Sequence, residues 1–458
     1  MYFLYSVLSA AGMILLAPYF FVRGLRQKKY LANLPERLGF RLPRELGSRG
    51  AGAAPVLWMH MVSVGEVLAA LPLARCLRER FPEWRMVIST TTATGQRLAR
   101  ERMKFADAIL YFPLDWPGPV RRALKAVGPS LIVIMETEIW PNFLREARKA
   151  GVPVVFVNGR LSERSFRRFS LVVRAGGGLL GNFLRRILGD AALYLMQSKQ
   201  DAARLIALGA HEERIVVTGN LKNDLVPPAP GPLTAWLERE LARSNRGPVL
   251  IAGSALGGEE TPVLEALEAV IQKWPAALLI LAPRKPERFA ASAERAEQAG
   301  WRVIRRSTLS LDGASAGVLA CSSDAPRSLL LLDTIGELAG VYSLADAVFI
   351  GGSLEPAGGH NPLEPAAFGK ASVFGPSMEN FREIAAGLLA ANAAIEVRSG
   401  GELGAAWSSL LADKDRRDRM GEAARAFIER SRGATATTLE HIAALIGSQI
   451  GKQPAARS

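Results

Sequence analysis

Short apolar runs alternate with longer stretches of helical periodicity along most of the chain. Runs rich in Val, Ile and Leu are typical of strands buried on both faces of a parallel sheet. A proline-rich stretch at residues 226–232 interrupts the alternation, which then resumes. The pattern predicts two parallel, doubly wound α/β sheets. The predicted strands are residues 55–62, 86–90, 108–112, 131–135, 152–157, 193–196 and 215–217, followed by 249–252, 277–281, 302–304, 329–332, 347–350 and 372–374.

The first 22 residues contain no charged side chain, carry aromatic residues at both ends, and precede Arg23, Arg26, Lys28 and Lys29. This pattern predicts a membrane anchor, and the positive-inside rule places the rest of the chain on the cytoplasmic face. A helix lying in the membrane interface is the competing interpretation.

These features predict six segments in chain order. Because open α/β sheets bind ligands at the carboxyl ends of their strands, we expect the two domains to present these ends to a common cleft. The segments are a membrane anchor (1–22), a basic juxtamembrane segment and linker (23–54), a first domain (55–225), a linker (226–245), a second domain (246–448) and a tail (449–458).

The composition is that of a globular protein, with 458 residues, 49% hydrophobic and 22% charged. A net charge of +14 predicts acidic partners, which could be nucleic acid, anionic lipid or a phosphorylated substrate. No nucleic-acid-reading module is evident, and nucleic acid is therefore disfavoured. The two cysteines and four histidines show no ligand spacing, so we predict no metal site.

The stretch at residues 347–375 predicts a ligand site in the second domain. An apolar run is followed by two glycine pairs, which let a ligand approach the backbone closely. Asn361 is expected to cap a helix with Pro362 at its first position, so that the free N–H groups near Leu363 suit an anion. Glu364 could then accept hydrogen bonds from sugar hydroxyls. A solvated turn is the simpler alternative.

Three carboxylates and a lysine follow predicted strands of the first domain. Glu66 lies in a predicted first helical turn, where it could act as a general base or merely stabilise the helix terminus. Glu136 and Glu138 are two residues apart, and in an extended loop only one of them would face the cleft. Lys222 could contact a phosphate or a carboxylate, although a solvated loop lysine is the commoner case.

In the second domain, Arg284 follows the second predicted strand and Glu337 follows the fourth. Both could bind a nucleotide, or could each form a structural ion pair. The G-x-G-x-x-G spacing at residues 176–181 is a weak dinucleotide signal, because it follows a basic amphipathic stretch. That stretch is better interpreted as a surface that could rest on acidic lipid, or as an ordinary surface helix.

A set of motifs that covers most of the chain resembles the 3-deoxy-D-manno-octulosonic acid (Kdo) transferase family. Each motif is short, but their combination and order are specific. They are Ser63-Val-Gly-Glu66, residues 135–142 (METEIWPN), 158–162 (NGRLS) and 219–222 (GNLK), Pro283-Arg284 with 286–288 (PER), and 351–353 (GGS) with 359–364 (GHNPLE).

The resemblance implies a B-type glycosyltransferase fold, with two Rossmann-like domains facing a cleft and an N-terminal membrane-anchor helix. It implies metal-independent, inverting transfer of Kdo from CMP-Kdo to a lipid A precursor at the inner membrane, without a cofactor. Glu66 matches the general base, and Glu136 and Lys222 match positions that support the transition state. The matching CMP-binding segments comprise Pro283, Arg284, Ile335, Gly336, Glu337, Asn361, Pro362, Leu363 and Glu364.

Two alternatives remain at the level of sequence. One is a transferase of the same fold that uses a UDP-sugar, and the other is a non-catalytic lipid or polyanion binder. In the preferred interpretation, we expect donor and lipid binding to desolvate Glu66 and raise its pKa.

Overall fold

A computed structural model of the chain describes residues 1–26, 33–43, 54–175, 177–224, 229–312, 314–315, 317–320 and 327–450. Residues 27–32 and 44–53 of the predicted juxtamembrane segment (23–54) and residues 451–458 of the predicted tail (449–458) therefore lie outside the described residues. The chain forms two compact units, one of Met1–Asp224 with Arg432–Ser458 and the other of Leu225–Ser431.

The first unit is built on a parallel seven-stranded sheet with the order β3-β2-β1-β4-β5-β6-β7. Neighbouring β1 and β4 are the point at which the strand order reverses, and all six residues of β1 are buried. The strands are β1 (Val56–Met61), β2 (Arg85–Thr90), β3 (Ala108–Tyr111), β4 (Leu131–Met135), β5 (Val154–Gly159), β6 (Leu193–Met196) and β7 (Ile215–Val217). The helices are α1 (Tyr2–Arg26), α2 (Leu34–Arg37), α3 (Val64–Arg80), α4 (Ala93–Arg102), α5 (Pro117–Val127), α6 (Pro141–Lys149), α7 (Glu163–Ala175), α8 (Gly177–Leu188) and α9 (Lys199–Ala207), with short 3₁₀ helices at Glu212–Arg214 and Leu221–Asp224.

The second unit repeats this plan with the strand order β10-β11-β9-β8-β12-β13-β14. Its strands are β8 (Val249–Ala255), β9 (Leu278–Pro283), β10 (Arg302–Arg305), β11 (Ser328–Leu331), β12 (Ala347–Ile350), β13 (Ser372–Phe374) and β14 (Ala394–Glu396). Its helices are α10 (Pro232–Ser244), α11 (Glu260–Ile271), α12 (Phe289–Gln298), α13 (Leu338–Val341), α14 (Leu363–Ala367), α15 (Arg382–Ala390), α16 (Gly400–Ala412) and α17 (Lys414–Ser431). Its short 3₁₀ helices are Pro286–Arg288, Arg306–Thr308, Tyr342–Leu344 and Glu379–Phe381.

The two predicted parallel sheets are confirmed, and each predicted strand overlaps an observed one. The sequence missed β14, an edge strand of three residues whose first residue, Ala394, is buried. The predicted linker also differs from the structure. It contains α10, a helix whose Trp236 and Leu237 are buried in the core of the second unit.

The last helix, α18 (Ala434–Ile450), belongs to the first unit and not to the second, where the sequence placed it. Its side chains Ile442 and Ile446 are buried in the first unit's core. The carboxylate of Asp224 accepts hydrogen bonds from the backbone N–H groups of Gly433 and Thr435, at 2.7 and 2.5 Å. These contacts hold the start of α18 beside Asp224, the residue at which the chain leaves the first unit.

The predicted membrane anchor at residues 1–22 is not supported. In the part of the chain that the structure describes, no helix is both long enough and apolar enough to cross a membrane. One side of α1 instead packs on the first unit, where Tyr2 is buried and its hydroxyl donates to Asp190 at 2.6 Å. The Tyr5 hydroxyl donates to Asp115 at 2.9 Å. A helix held by such polar contacts is docked on protein along this side and is not surrounded by lipid.

The opposite side of α1 is apolar and exposed. Phe3 is 82% exposed, and Leu4, Leu8 and Leu15 are also exposed. Leu8 and Leu15 lie two turns apart on one face of the helix, and Phe3 lies at the edge of this broad exposed side, which we call the exposed stripe of α1. The Tyr2 ring packs edge-to-face on Phe183 of α8, with the ring centroids 4.9 Å apart. Helix α1, which carries the exposed stripe, therefore lies against α8.

Candidate active site

Glu66 lies in the first turn of α3, immediately after the carboxyl end of β1. Ser63 caps the helix, and its hydroxyl donates to one carboxylate oxygen of Glu66 at 2.9 Å. The other oxygen accepts the backbone N–H of Val62 at 2.8 Å. The carboxylate is thus folded back over the start of its own helix, bonded to the hydroxyl of the cap residue Ser63 and to the backbone N–H of the residue before it. Glu66 therefore does stabilise the terminus of its helix, which was its alternative role, and it is also buried.

The pKa of Glu66 is raised to about 7. Burial is the largest cause, and the negative charges of Glu136 and Glu138 raise the pKa further. The hydrogen bonds from Val62 and Ser63 stabilise the charged form and lower the pKa, but they do not outweigh burial. The first unit alone therefore gives Glu66 the proton affinity of a base that works near neutral pH.

Glu136 and Lys222 lie at the same edge of the first sheet. Glu136 follows β4 in a left-handed backbone conformation, with φ of 56°, which turns the chain out of the extended form. Lys222 is in the 3₁₀ helix that follows β7, and its Nζ lies 3.8 Å from an oxygen of Glu136. The structure therefore brings together the three residues that the resemblance assigned to catalysis.

The prediction that only one of Glu136 and Glu138 faces the site is wrong in its premise. It assumed an extended loop, whereas residues 136 and 137 form a turn. Both carboxylates raise the pKa of Glu66, and the pKa of Glu138 is itself raised by burial and by the charge of Glu136. Both negative charges therefore act on the same buried carboxyl group.

In the second unit, Arg284 follows β9 and lies within electrostatic reach of Glu364 and His360. Its charge lowers the pKa of both. Burial is the larger effect in each case, so the pKa of Glu364 is raised overall and that of His360 is lowered. An arginine, a carboxyl group and a neutral imidazole therefore lie close together at the carboxyl ends of β9 and β12.

Asn361 organises the start of α14. Its Oδ1 accepts the N–H of Leu363 at 3.1 Å, and its Nδ2 donates to Glu364 at 3.2 Å. Helix α14 begins at Leu363, one residue later than predicted, and Pro362 precedes it. The Leu363 N–H, which the sequence analysis expected to be free for an anion, is thus bonded within the protein, and the helix has only five residues.

The segment Ile335, Gly336 and Glu337 has different surroundings. Ile335 is 76% exposed, and Gly336 adopts a left-handed φ of 92°. Glu337 accepts hydrogen bonds from Arg306, at 2.9 Å, and from the Thr334 hydroxyl. In the described residues, Glu337 thus forms the structural ion pair that the sequence analysis had considered as its alternative role.

The glycine loop after β12 is packed closely against the protein itself. A Cβ atom at Gly351 would lie 2.4 Å from the backbone oxygen of Ser254, at the end of β8. The expectation that Gly351 makes room for a ligand is therefore corrected, because the neighbouring strand occupies that space. Gly358 and Gly359 have φ of 86° and 72°, which favour glycine at the second pair.

Sequence reasoning missed Glu259, which is fully buried and precedes α11. Its carboxylate accepts the N–H groups of Gly352, Ser353 and Leu354, at 2.7, 2.9 and 2.9 Å. It also accepts the N–H of Leu256 at 2.9 Å. The glycine loop that was expected to let a ligand approach its backbone is thus held by the protein's own carboxylate. The one available signal was the adjacent glycine pair at residues 257–258, which is compatible with an ordinary helix start.

The chain is similar to several known proteins. The family model for 3-deoxy-D-manno-octulosonic-acid transferase (kdotransferase) matches residues 32–225. A 3-deoxy-D-manno-octulosonic acid transferase of Haemophilus influenzae is 34% identical over 421 residues, which cover 91% of this chain and 92% of the relative. One of Bordetella pertussis is 36% identical over 425 residues, with 90% of each chain covered.

A solved structure shares the fold over both units. A putative UDP-N-acetylglucosamine 2-epimerase from Listeria monocytogenes has a TM-score of 0.55 and 15% sequence identity, with 88% of this chain and 98% of that chain covered. At this identity the likeness concerns the fold alone.

Proposed function

The chain belongs to the family of 3-deoxy-D-manno-octulosonic acid transferases, and we propose that it transfers Kdo from CMP-Kdo to a lipid A precursor with Glu66 as the general base. The reaction inverts the anomeric configuration and uses no metal. The observation that carries the proposed mechanism is the buried Glu66 carboxyl group, with its pKa of about 7, beside Glu136 and Lys222.

Glu66 acts on the acceptor. Its carboxylate takes the proton from a glucosamine hydroxyl while that oxygen forms a bond to the anomeric carbon of Kdo. The bond between this carbon and the phosphate oxygen breaks at the same time, and CMP leaves with the electron pair. A base with a pKa near 7 is half ionised at neutral pH, and it holds the transferred proton more firmly than an ordinary glutamate would.

Lys222 and Glu136 support the charges that develop during transfer. The Lys222 ammonium group is a compact positive charge that can stabilise the departing phosphate or the Kdo carboxylate. Glu136 lies 3.8 Å from this ammonium group and orients it. The same carboxylate raises the pKa of Glu66, so one side chain tunes both the base and the cation.

We assign donor binding to the second unit. Arg284 is suited to a bidentate contact with the CMP phosphate, and Glu364 can accept hydrogen bonds from the ribose hydroxyls. Pro283, Pro362 and Leu363 shape the backbone around these two side chains. Ile335, Gly336 and Glu337 form the remaining part of the donor site. The exposed Ile335 side chain is available to cover the cytosine ring of CMP.

We assign the acceptor and the membrane surface to the first unit. Besides the apolar stripe of α1, Leu171 on α7 and Leu179 on α8 are each 64% exposed. Arg164 and Arg168 are exposed on α7. Apolar side chains beside arginines favour adsorption to a membrane that contains anionic lipid, such as the inner membrane in which a lipid A precursor resides.

Mass spectrometry tests the proposed function. The full chain is incubated with tetra-acylated lipid A precursor and CMP-Kdo, and the product mass is compared for the wild-type protein, Glu66→Gln and the control Glu79→Gln. Glu79 is exposed on the same helix. We expect the wild type and the control to add one or more Kdo units, and Glu66→Gln to be slower by about 100-fold or more.

Calorimetry of CMP binding separates loss of chemistry from loss of structure. Glu66→Gln should bind CMP as tightly as the wild type does. Transfer from a UDP-sugar but not from CMP-Kdo would contradict the proposed donor, and lipid binding without any product would favour a non-catalytic binder.

A further inference from the structure

The motif at residues 158–162 (NGRLS) supplies none of the proposed catalytic side chains, but it begins at the carboxyl edge of the first sheet. Asn158 lies near the end of β5, is fully buried, and has a left-handed backbone with φ of 56°. A residue other than glycine is uncommon in this conformation, although asparagine adopts it more readily than most. The fold therefore keeps an asparagine in an uncommon backbone conformation where the strand ends.

Asn158 holds the segment that carries Lys222. Its side-chain oxygen accepts the backbone N–H of Leu221 at 2.9 Å, although the two residues lie 63 positions apart. Leu221 starts the 3₁₀ helix Leu221–Asp224, and its side chain is buried in the core of the first unit. Both contacts fix the residue that precedes Lys222, so a shift of this short helix would disrupt them.

Two further amide side chains connect Asn158 to Lys222. Gln197, which is buried just after β6, donates from its side chain to the backbone oxygen of Asn158 at 3.0 Å. The side-chain oxygen of Gln197 accepts from the amide of Asn220 at 3.1 Å. The side-chain oxygen of Asn220 in turn accepts the backbone N–H of Lys222 at 3.0 Å. A continuous chain of hydrogen bonds thus runs from Asn158 to the backbone of Lys222.

The residues on either side of Asn158 hold the turn that contains Glu136. The N–H of Glu136 donates to the backbone oxygen of Val157 at 2.8 Å. The N–H of Arg160 donates to the hydroxyl of Thr137, the residue after Glu136, at 2.8 Å. One short segment, residues 157–160, therefore anchors both of the loops that carry the ion pair of the proposed catalytic centre.

We propose that Asn158 is a positioning residue for Kdo transfer, whose buried amide sets the distance between Lys222 and Glu136. The inference rests on the proposed function for the roles of these two side chains. Their separation, 3.8 Å from the Lys222 Nζ to a Glu136 oxygen, is held by one buried segment and not by two independent loops. A displacement of the ammonium group by about 1 Å can slow the chemical step by about 100-fold.

Kinetics of a double variant test whether Asn158 acts through Lys222. Asn158→Gly removes the side-chain amide, and glycine adopts a positive φ without strain. With lipid A precursor and CMP-Kdo, we expect kcat to fall roughly 10-fold to 100-fold while KM for the acceptor stays unchanged. In Lys222→Met, which lacks the ammonium group, the addition of Asn158→Gly should lower kcat by less than about twofold. An unchanged kcat in Asn158→Gly, or losses that multiply in the double variant, would overturn the proposal.

Asn245→Gly is the matched control. Asn245 is also left-handed, with φ of 48°, but it ends α10 in the second unit, so its replacement should leave kcat unchanged. If Asn158→Gly does not fold, Gln197→Met interrupts the same chain of hydrogen bonds. This variant should lower kcat by roughly threefold to tenfold, and by less than about twofold in Lys222→Met. Wild-type kcat in Gln197→Met would then overturn the proposal.

Hydrogen exchange measured by mass spectrometry is a readout that needs no turnover. Asn158→Gly should speed exchange in the peptide that covers Leu221–Asp224 by about tenfold, because the Leu221 N–H loses its acceptor, and Asn245→Gly should not. Unchanged exchange of this peptide in Asn158→Gly would overturn the proposal. If no protein transfers Kdo but the exchange differs, the proposed function fails and the positioning of Lys222 by Asn158 stands.

Discussion

The negative charge of Glu136 raises the pKa of Glu66, although the two residues follow different strands, β4 and β1. Glu138 acts in the same direction and less strongly. We therefore predict that Glu136→Gln lowers the pKa of Glu66 and moves the acidic limb of the pH–rate profile to lower pH. Glu138→Gln should move it in the same direction by less. The position of the limb is the readout, because Glu136→Gln also removes the carboxylate beside Lys222 and so reduces the maximal rate. A limb that moves upward in Glu136→Gln would contradict the electrostatic account.

Burial of Glu66 has a consequence for stability. Because its pKa is about 7 in the folded protein and 4.5 is the ordinary value, the folded state binds this proton more tightly than the unfolded chain does. This tighter proton binding stabilises the folded state fully below pH 4.5. The stabilisation, about 3 kcal/mol of unfolding free energy, is lost as the pH rises to 7. Glu66→Gln should therefore unfold at a higher urea concentration than the wild type at pH 8. At pH 4.5 this advantage should be absent. An equal difference at both pH values would show that the carboxyl group is not the cause.

Glu259 is predicted to hold in place the glycine loop after β12, whose residues 352–354 bind its carboxylate. The loop it binds accepts further hydrogen bonds, with the N–H of Gly359 donating to Gly352 at 2.7 Å and that of His360 to Gly351 at 3.1 Å. Replacement by Gln removes the charge and leaves backbone donors unpaired, at a cost of roughly 2–4 kcal/mol of unfolding free energy. Glu259→Gln should also bind CMP more weakly in calorimetry.

Glu268→Gln is the matched control for Glu259→Gln. The Glu268 side chain on α11 is 42% exposed, and the side chain of its ion-pair partner Arg327 is 50% exposed. Surface pairs contribute little, so this variant should remain within about 0.5 kcal/mol of the wild type. Wild-type CMP affinity in Glu259→Gln would rule out its role in positioning the loop.

The exposed stripe of α1 is predicted to contact lipid. The double variant Phe3→Glu and Leu8→Glu places two charges on that stripe while it retains the buried Tyr2 contacts. Sedimentation with vesicles that contain anionic lipid should show binding reduced by about tenfold or more, because each charge would have to leave water. Val217→Glu changes an exposed apolar residue of the same unit away from α1 and should bind as the wild type does. Equal binding by all three proteins would place the lipid contact elsewhere.

The strands could be predicted because each is a short, continuous apolar run, as in β4, whose five residues are all buried. The family motifs also identified Glu66, Glu136 and Lys222, which the fold brings together. Local patterns do not contain the contacts made by distant segments. The attachment of α18 to Asp224 joins residues more than 200 positions apart. Three of the hydrogen bonds of Glu259, those from residues 352–354, depend on the packing of β8 against β12.

The N-terminal helix shows a different limit. Hydropathy registers the apolar residues of α1 but not their distribution between a docked side and an exposed side. The aromatic residues Tyr2 and Tyr5, which resemble a membrane-interface belt in the sequence, form hydrogen bonds with Asp190 and Asp115 in the structure. The side chains that they contact are distant in sequence, so the pattern alone could not distinguish an anchor from a docked helix.

The most direct test of Glu66 as the base is the pH dependence of kcat/KM for Kdo transfer, measured for the wild type and for the residual activity of Glu66→Gln. The account predicts that the wild-type rate rises tenfold per pH unit below pH 7 and levels off above it, because only the ionised carboxylate accepts the proton. In Glu66→Gln this limb should disappear and the remaining rate should be low. The same limb near pH 7 in both proteins would assign the ionisation to another group and contradict the central claim.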